Sequence, residues 1–70
     1  MMNVTERGEM ETGNVIRKAR KARNWTQKQL AEKVFTSREN VSRWEGGKQL
    51  PRRIFRRHIE EILGVSLEEK

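Results

Sequence analysis

Residues 26–47 read TQKQLAEKVFTSRENVSRWEGG. Two short amphipathic segments lie in this stretch, with Phe35 and Thr36 between them. Thr26 followed by Gln29 has the form of a capping box, in which the hydroxyl accepts from an orphan amide and the Gln side chain reaches back to the cap. It predicts a helix of about eight residues with Leu30, Ala31 and Val34 as its inward stripe. A second cap, at Ser37 or at Thr36 with Glu39, starts another helix, and Gly46-Gly47 stops it. This second helix is very polar. Val41 and Trp44 share one face and point inward. Arg38, Glu39, Ser42 and Arg43 fall largely on the other face, with Asn40 between the two.

Those outward side chains suit the edges of base pairs. Arg donates a bidentate pair to guanine, Glu accepts from the cytosine amino group, and Asn40 suits adenine or a phosphate. A helix held by a small buried anchor, with a hydrogen-bonding outer surface, meets the requirements of major-groove insertion. The amino end of the preceding helix presents free N–H groups to a phosphate, and Gln27 adds a donor there. One short helix across the backbone and a second in the groove is the helix-turn-helix arrangement.

The flanking sequence extends this pattern. Thr12 is expected to cap a first helix with Val15, Ile16, Ala19 and Ala22 inward and Arg17, Lys18, Lys21 and Arg23 outward. Asn24, which tolerates the left-handed conformation, closes that helix. Residues 1–11 lack periodicity and are expected to be a flexible acidic tail, leaving 12–70 as the domain. Lys48-Gln49-Leu50-Pro51 is a connection. A fourth helix is expected from about Arg52 to Leu63, with Phe55, Ile59, Ile62 and Leu63 inward and Gly64 at its end. Ser66-Leu67-Glu68-Glu69 has capping-box form and offers the start of a final turn. The expected fold class is all-α, a compact bundle of four to five helices.

Seventy residues permit one small domain, and 33% hydrophobic residues permit only a thin core. With no Cys, disulfides and thiolate metal sites are excluded, and with His58 as the only histidine a zinc site, which would need carboxylates for its other ligands, is not expected. No catalytic Ser/His/Asp or Cys/His constellation and no Gly-rich phosphate loop is present, so neither an enzyme nor a cofactor is expected. No apolar run approaches the roughly 20 residues that cross a bilayer. The N-terminus lacks a signal-peptide core, so a cytoplasmic protein without membrane contact is expected. The net charge of +6 is unevenly spread. Residues 15–57 hold fourteen Lys/Arg against three Glu, net +11, whereas residues 1–14 are net −2 and 58–70 net −3. A cationic middle suits a polyanion such as nucleic acid.

TQKQLAEKV followed by SRENVSRWEGGKQLP resembles the Cro/repressor-type helix-turn-helix family, often called the XRE family. The resemblance runs from about Ile16 to Leu67 and includes Arg20, Leu30-Ala31, Val41-Ser42-Arg43-Trp44-Glu45, Gly47, Pro51 and the Leu63-Gly64-Val65-Ser66 ending. It implies a lambda-repressor-like bundle and a bacterial or phage transcription regulator, most often a repressor. It also implies a homodimer, at least on DNA, on a palindromic double-stranded operator. By this resemblance Ser37, Arg38, Glu39, Asn40, Ser42 and Arg43 read bases. Gln27 contacts a phosphate, and the cations Lys28, Lys48 and Arg52 are expected to do the same. Arg20 and Glu45 are expected to form a structural ion pair. Two departures stand out. Phe35 occupies the turn position where the family commonly has Gly with positive φ, and the stretch RRIFRRH is unusually basic. Trp25 and Trp44 stand at core-like spacing, and His58 at a boundary position. The competing reading is an antitoxin-like or adaptor protein whose main partner is another polypeptide, suggested by the acidic ends and by apolar Ile54 and Phe55. A protein antagonist is compatible with either.

Overall fold

The computed structural model describes the backbone of residues 4–67 and the side chains of residues 11–67. Four helices follow one another: α1 (Val4–Ala22), α2 (Gln27–Lys33), α3 (Arg38–Glu45) and α4 (Arg53–Leu63). There is no strand among the described residues, so the all-α class holds.

Helix α1 begins at Val4, ahead of the expected start at Thr12. The expected tail is therefore helical from Val4 onward, and its residues 1–3 lie outside the described residues. Extending an existing helix adds one hydrogen bond per residue without a new nucleus. Apolar periodicity is thus unnecessary there. Thr12 becomes an interior residue, buried rather than capping. The inward side of α1 is Thr12, Gly13, Ile16 and Arg20, with Ala19 half-buried; Val15 and Ala22, expected inward, are exposed. Gly13 permits the closest approach to α3, since a Cβ built there would stand 2.4 Å from the Trp44 carbonyl oxygen and 2.8 Å from that of Glu45. Asn24 ends α1 at φ 58°, as expected.

The capping box at the start of α2 is complete. The Thr26 Oγ1 accepts from the Gln29 amide at 3.0 Å, and the Gln29 Oε1 accepts from the Thr26 amide at 2.7 Å. Helix α2 then turns sharply: the Thr36 amide donates to the Ala31 carbonyl at 2.9 Å, and Phe35 takes φ 62°. Ser37, not Thr36, caps α3, accepting from the Asn40 amide at 3.2 Å. Thr36 instead receives the Asn40 Nδ2 at 2.8 Å. Gly46 caps α3, and Gly47 follows at φ 73°. Arg52 precedes α4 as its cap rather than lying within it, and Gly64 ends that helix at φ 65°. Beyond it the chain folds back, and the Leu67 amide donates to the Glu60 Oε2 at 2.8 Å. Glu68 and Glu69, on which the last expected turn depends, lie outside the described residues.

Ile16, Leu30, Val34, Val41, Trp44 and Ile59 are fully buried, with Ala31, Leu63 and Leu67 closing the core. Each large side chain removed from water contributes about 1.5–3 kcal/mol. The two core residues of α3, Val41 and Trp44, hold it against α1 and α2, and Phe55 of α4 leans on the Trp44 ring at 5.6 Å. Trp25 is half-buried, with the Lys33 ammonium 4.7 Å and the Arg23 guanidinium 5.6 Å from its ring centroid. Both tryptophans therefore pack rather than form an exposed stacking platform. No helix among the described residues is long and apolar enough to cross a membrane.

Candidate nucleic-acid interface

Helix α3 is two-faced. Val41, Trp44 and Glu45 are buried, while Arg38, Glu39, Ser42 and Arg43 are exposed on the other side. These four side chains of the expected base-reading set are exposed at the surface. The other two are already engaged. The exposed Ser37 accepts at Oγ from the Asn40 amide to cap α3, with its O–H still able to donate. Asn40 is half-buried, donates to Thr36, and accepts from the Arg43 Nη1 at 3.4 Å. That last contact steadies Arg43 rather than removing it from solvent.

The expected ion pair is present, and it does more than join two helices. The Arg20 guanidinium meets the Glu45 carboxylate in a bidentate pair, Nε to Oε2 at 2.6 Å and Nη2 to Oε1 at 2.9 Å. Its remaining Nη1 donates to the Trp25 carbonyl at 2.7 Å. Both side chains are buried, and this is the only salt bridge among the described residues. The hydrogen bond to Glu45 raises the Arg20 pKa above the ordinary arginine value, against the opposing effect of desolvation. Gln27 joins the same carboxylate, its Nε2 donating to the Glu45 Oε1 at 3.2 Å. The ends of α1 and α3 and the start of α2 thus converge on Glu45. The Gln27–Glu45 bond had no signal in the sequence, because it links residues eighteen apart through a fold contact.

Lys28, Lys48 and Arg52 are all exposed, as phosphate contacts require. Arg52 also lines an open depression of about 230 Å³ with Asn40, Trp44, Gln49 and Phe55. Nothing in the local sequence marks Gln49 as part of this surface. Buried Pro51 fixes the connection that carries it, so Gln49 stands beside Arg52 instead of hanging in a loose loop. No group of three or more His, Cys, Asp or Glu able to hold a metal occurs among the described residues.

Comparison with known proteins bears on what this surface is. A family model described as helix-turn-helix matches residues 16–70. The chain belongs to the helix-turn-helix family. Membership of its XRE type agrees with the resemblance drawn from the sequence. Among its relatives, the chain is 35% identical over 60 residues to the HTH-type transcriptional activator BcrR of Enterococcus faecalis, covering 86% of this chain and 29% of that protein. It is 45% identical over 40 residues to a competence pilus inhibition repressor of Acinetobacter baylyi, covering 57% and 36%. It is 32% identical over 65 residues to an endothelial differentiation-related factor 1 homolog of Xenopus laevis, covering 93% and 44%. The chain spans less than half the length of each of these relatives.

Proposed function

We propose that this domain is a non-enzymatic, DNA-binding transcriptional regulator that places α3 in the major groove of duplex DNA. The observation that carries this reading is the two-faced α3, buried through Val41 and Trp44 and open through Arg38, Glu39, Ser42 and Arg43. Arg43 and Arg38 are assigned to guanine edges, and Glu39 to a cytosine amino group. Ser42 adds a small adaptable hydroxyl. Asn40 and Ser37 contribute chiefly by holding the start of α3 and the Arg43 side chain. Gln27, oriented by Glu45, takes a backbone phosphate at the start of α2, and Lys28, Lys48 and Arg52 take flanking phosphates. The helix-turn-helix family and the regulators among the relatives support the DNA-binding part of this reading.

The domain acts as a homodimer on a palindromic operator, with α3 of each copy in successive major grooves about 34 Å apart. Its effect is repression. Occupying an operator is enough to block transcription, whereas activation requires a further surface that recruits the polymerase. One relative is an activator by name and another a repressor, so the regulatory sign is tested separately from DNA binding.

The test is selection of bound sequences from random duplexes at two salt concentrations, followed by binding of variants to the selected site. Arg43→Ala is expected to cost about 1–3 kcal/mol on that site and to relax preference at one base position. If Arg43→Ala keeps the full preference, that residue does not read a base. If wild type selects no sequence, the DNA-reading assignment fails as a whole.

A further inference from the structure

Helix α4 carries its charges in the reverse of the order that suits an isolated helix. Arg52 and Arg53 stand at its start, Arg56 and Arg57 follow, and Glu60 and Glu61 come near its end. Its first turn has no acid and its last turn no base, although acids favour the positive amino end and bases the negative carboxyl end. None of these side chains forms an ion pair among the described residues. Ile59 and Leu63 are buried in the core, so the helical repeat places Ile54, Arg57 and Glu61 together on the outer face. All three are exposed, Ile54 by 61%. Phe35 extends the apolar part of this face. It is 79% exposed, and its ring meets His58 edge-on at 5.8 Å. His58 in turn lies one helical turn beyond Ile54.

A polyanion would suit the four arginines but would be repelled by Glu61 and would leave Ile54 and Phe35 uncovered. A surface that is apolar, cationic at one end and acidic at the other is complemented by its own copy run in the opposite direction. We propose that the outer face of α4, with Phe35 beside it, is where two copies of this chain meet, antiparallel about a two-fold axis. Arg57 then faces the partner's Glu61, and Glu61 faces the partner's Arg57. Ile54 covers the end of the partner's α4. The basic middle of each α4 then receives an acid and its acidic end a base. A stable interface buries roughly 800 Å² per partner, more than one helix face and one ring supply. The contact is therefore weak in solution and is strengthened on DNA, where two half-sites hold the copies at high effective concentration. This rests on the proposed dimeric operator binding only for that strengthening.

The test is sedimentation equilibrium of the full chain without DNA, at low salt and high protein concentration. Wild type is expected to dimerise. Arg57→Glu and Glu61→Arg alone each place like charges together twice across the axis and are expected to weaken the dimer about tenfold or more. The double reversal, Arg57→Glu with Glu61→Arg, is expected to restore most of the loss. Ile54→Asp is expected to abolish association, with circular dichroism reporting that the helices remain. A wild type that stays monomeric, single reversals without effect, or a double reversal no better than the singles would each overturn the proposal. Binding to a duplex with a single half-site reads the other question. Sequence preference there with no dimer sinks this surface alone, and a dimer without sequence preference sinks the DNA reading alone.

Discussion

Phe35 sits at φ 62° with most of its ring in water. A left-handed backbone costs a residue with a Cβ about 1–2 kcal/mol, and so exposed a ring recovers little of that by burial. Its edge contact with His58 recovers part. Phe35→Gly removes the strain but gives the unfolded chain more freedom, worth about 0.5–1 kcal/mol. The expected net is a stabilisation of up to about 1 kcal/mol, seen as a Tm higher by a few degrees in dilute, monomeric protein. Phe35→Ala keeps the strain and loses the ring, so its Tm should fall; a fall for Phe35→Gly as well would show that the His58 contact outweighs the strain. Glu45 poses the opposite case, since its loss leaves the buried Arg20 guanidinium without its partner. Glu45→Gln is expected to cost about 3–5 kcal/mol by urea titration. A raised Arg20 pKa means that its contribution is complete at any pH below the ordinary arginine pKa and is lost only as pH climbs through the higher folded value. The stability difference between wild type and Glu45→Gln should therefore stay level from pH 7 to pH 9.

Among the elements, α1 and α3 are set by a close backbone approach at Gly13. On an open helix face, Gly→Ala gains up to about 1 kcal/mol through helix propensity. At position 13 the new methyl would meet the carbonyl oxygens of Trp44 and Glu45 at 2.4 and 2.8 Å, backbone atoms that can yield only if α3 moves. Gly13→Ala is thus expected to destabilise by about 1–3 kcal/mol, as overpacking does, and thermal unfolding would read it. An equal or higher Tm would show that α1 can slide outward without loss. This contact also marks where the sequence ceases to inform. The caps at Thr26 and Ser37, the stops at Asn24, Gly46 and Gly64, and the inward pair Val41–Trp44 are local, and short-range spacing reveals them. The early start of α1 leaves no such trace, because its added turns need no apolar stripe. The inward turning of Gly13 and Thr12 is equally silent, since neither looks like a core residue. In the candidate interface, the exposed face of α3 and the Arg20–Glu45 pair were legible. The capture of Gln27 by Glu45, the tethering of Asn40, and the standing of Gln49 beside Arg52 depend on how separate segments meet.

For the whole molecule, charge is the property that acts farthest. The cationic stretch 15–57, net +11, lies between acidic termini of −2 and −3. A duplex would be drawn to the exposed cations of that middle stretch before any hydrogen bond forms. The dependence on salt then counts the contacts. Each phosphate neutralised by a Lys or Arg adds about −0.9 to the slope of log K against log salt. Lys28, Lys48 and Arg52 as the phosphate-contacting cations give a slope of about −3 per protomer, and about twice that for two copies on a palindrome. Lys28→Ala should reduce the slope by about 1 per protomer and weaken binding to every sequence alike. Arg43→Ala should behave in the opposite manner, losing discrimination while changing the slope little. Fluorescence anisotropy of a labelled selected site and of a scrambled duplex, each titrated from low to physiological salt, separates the two. Equal slopes for wild type and Lys28→Ala would remove Lys28 from the phosphate set. A loss confined to the selected site would instead make it a reader of bases.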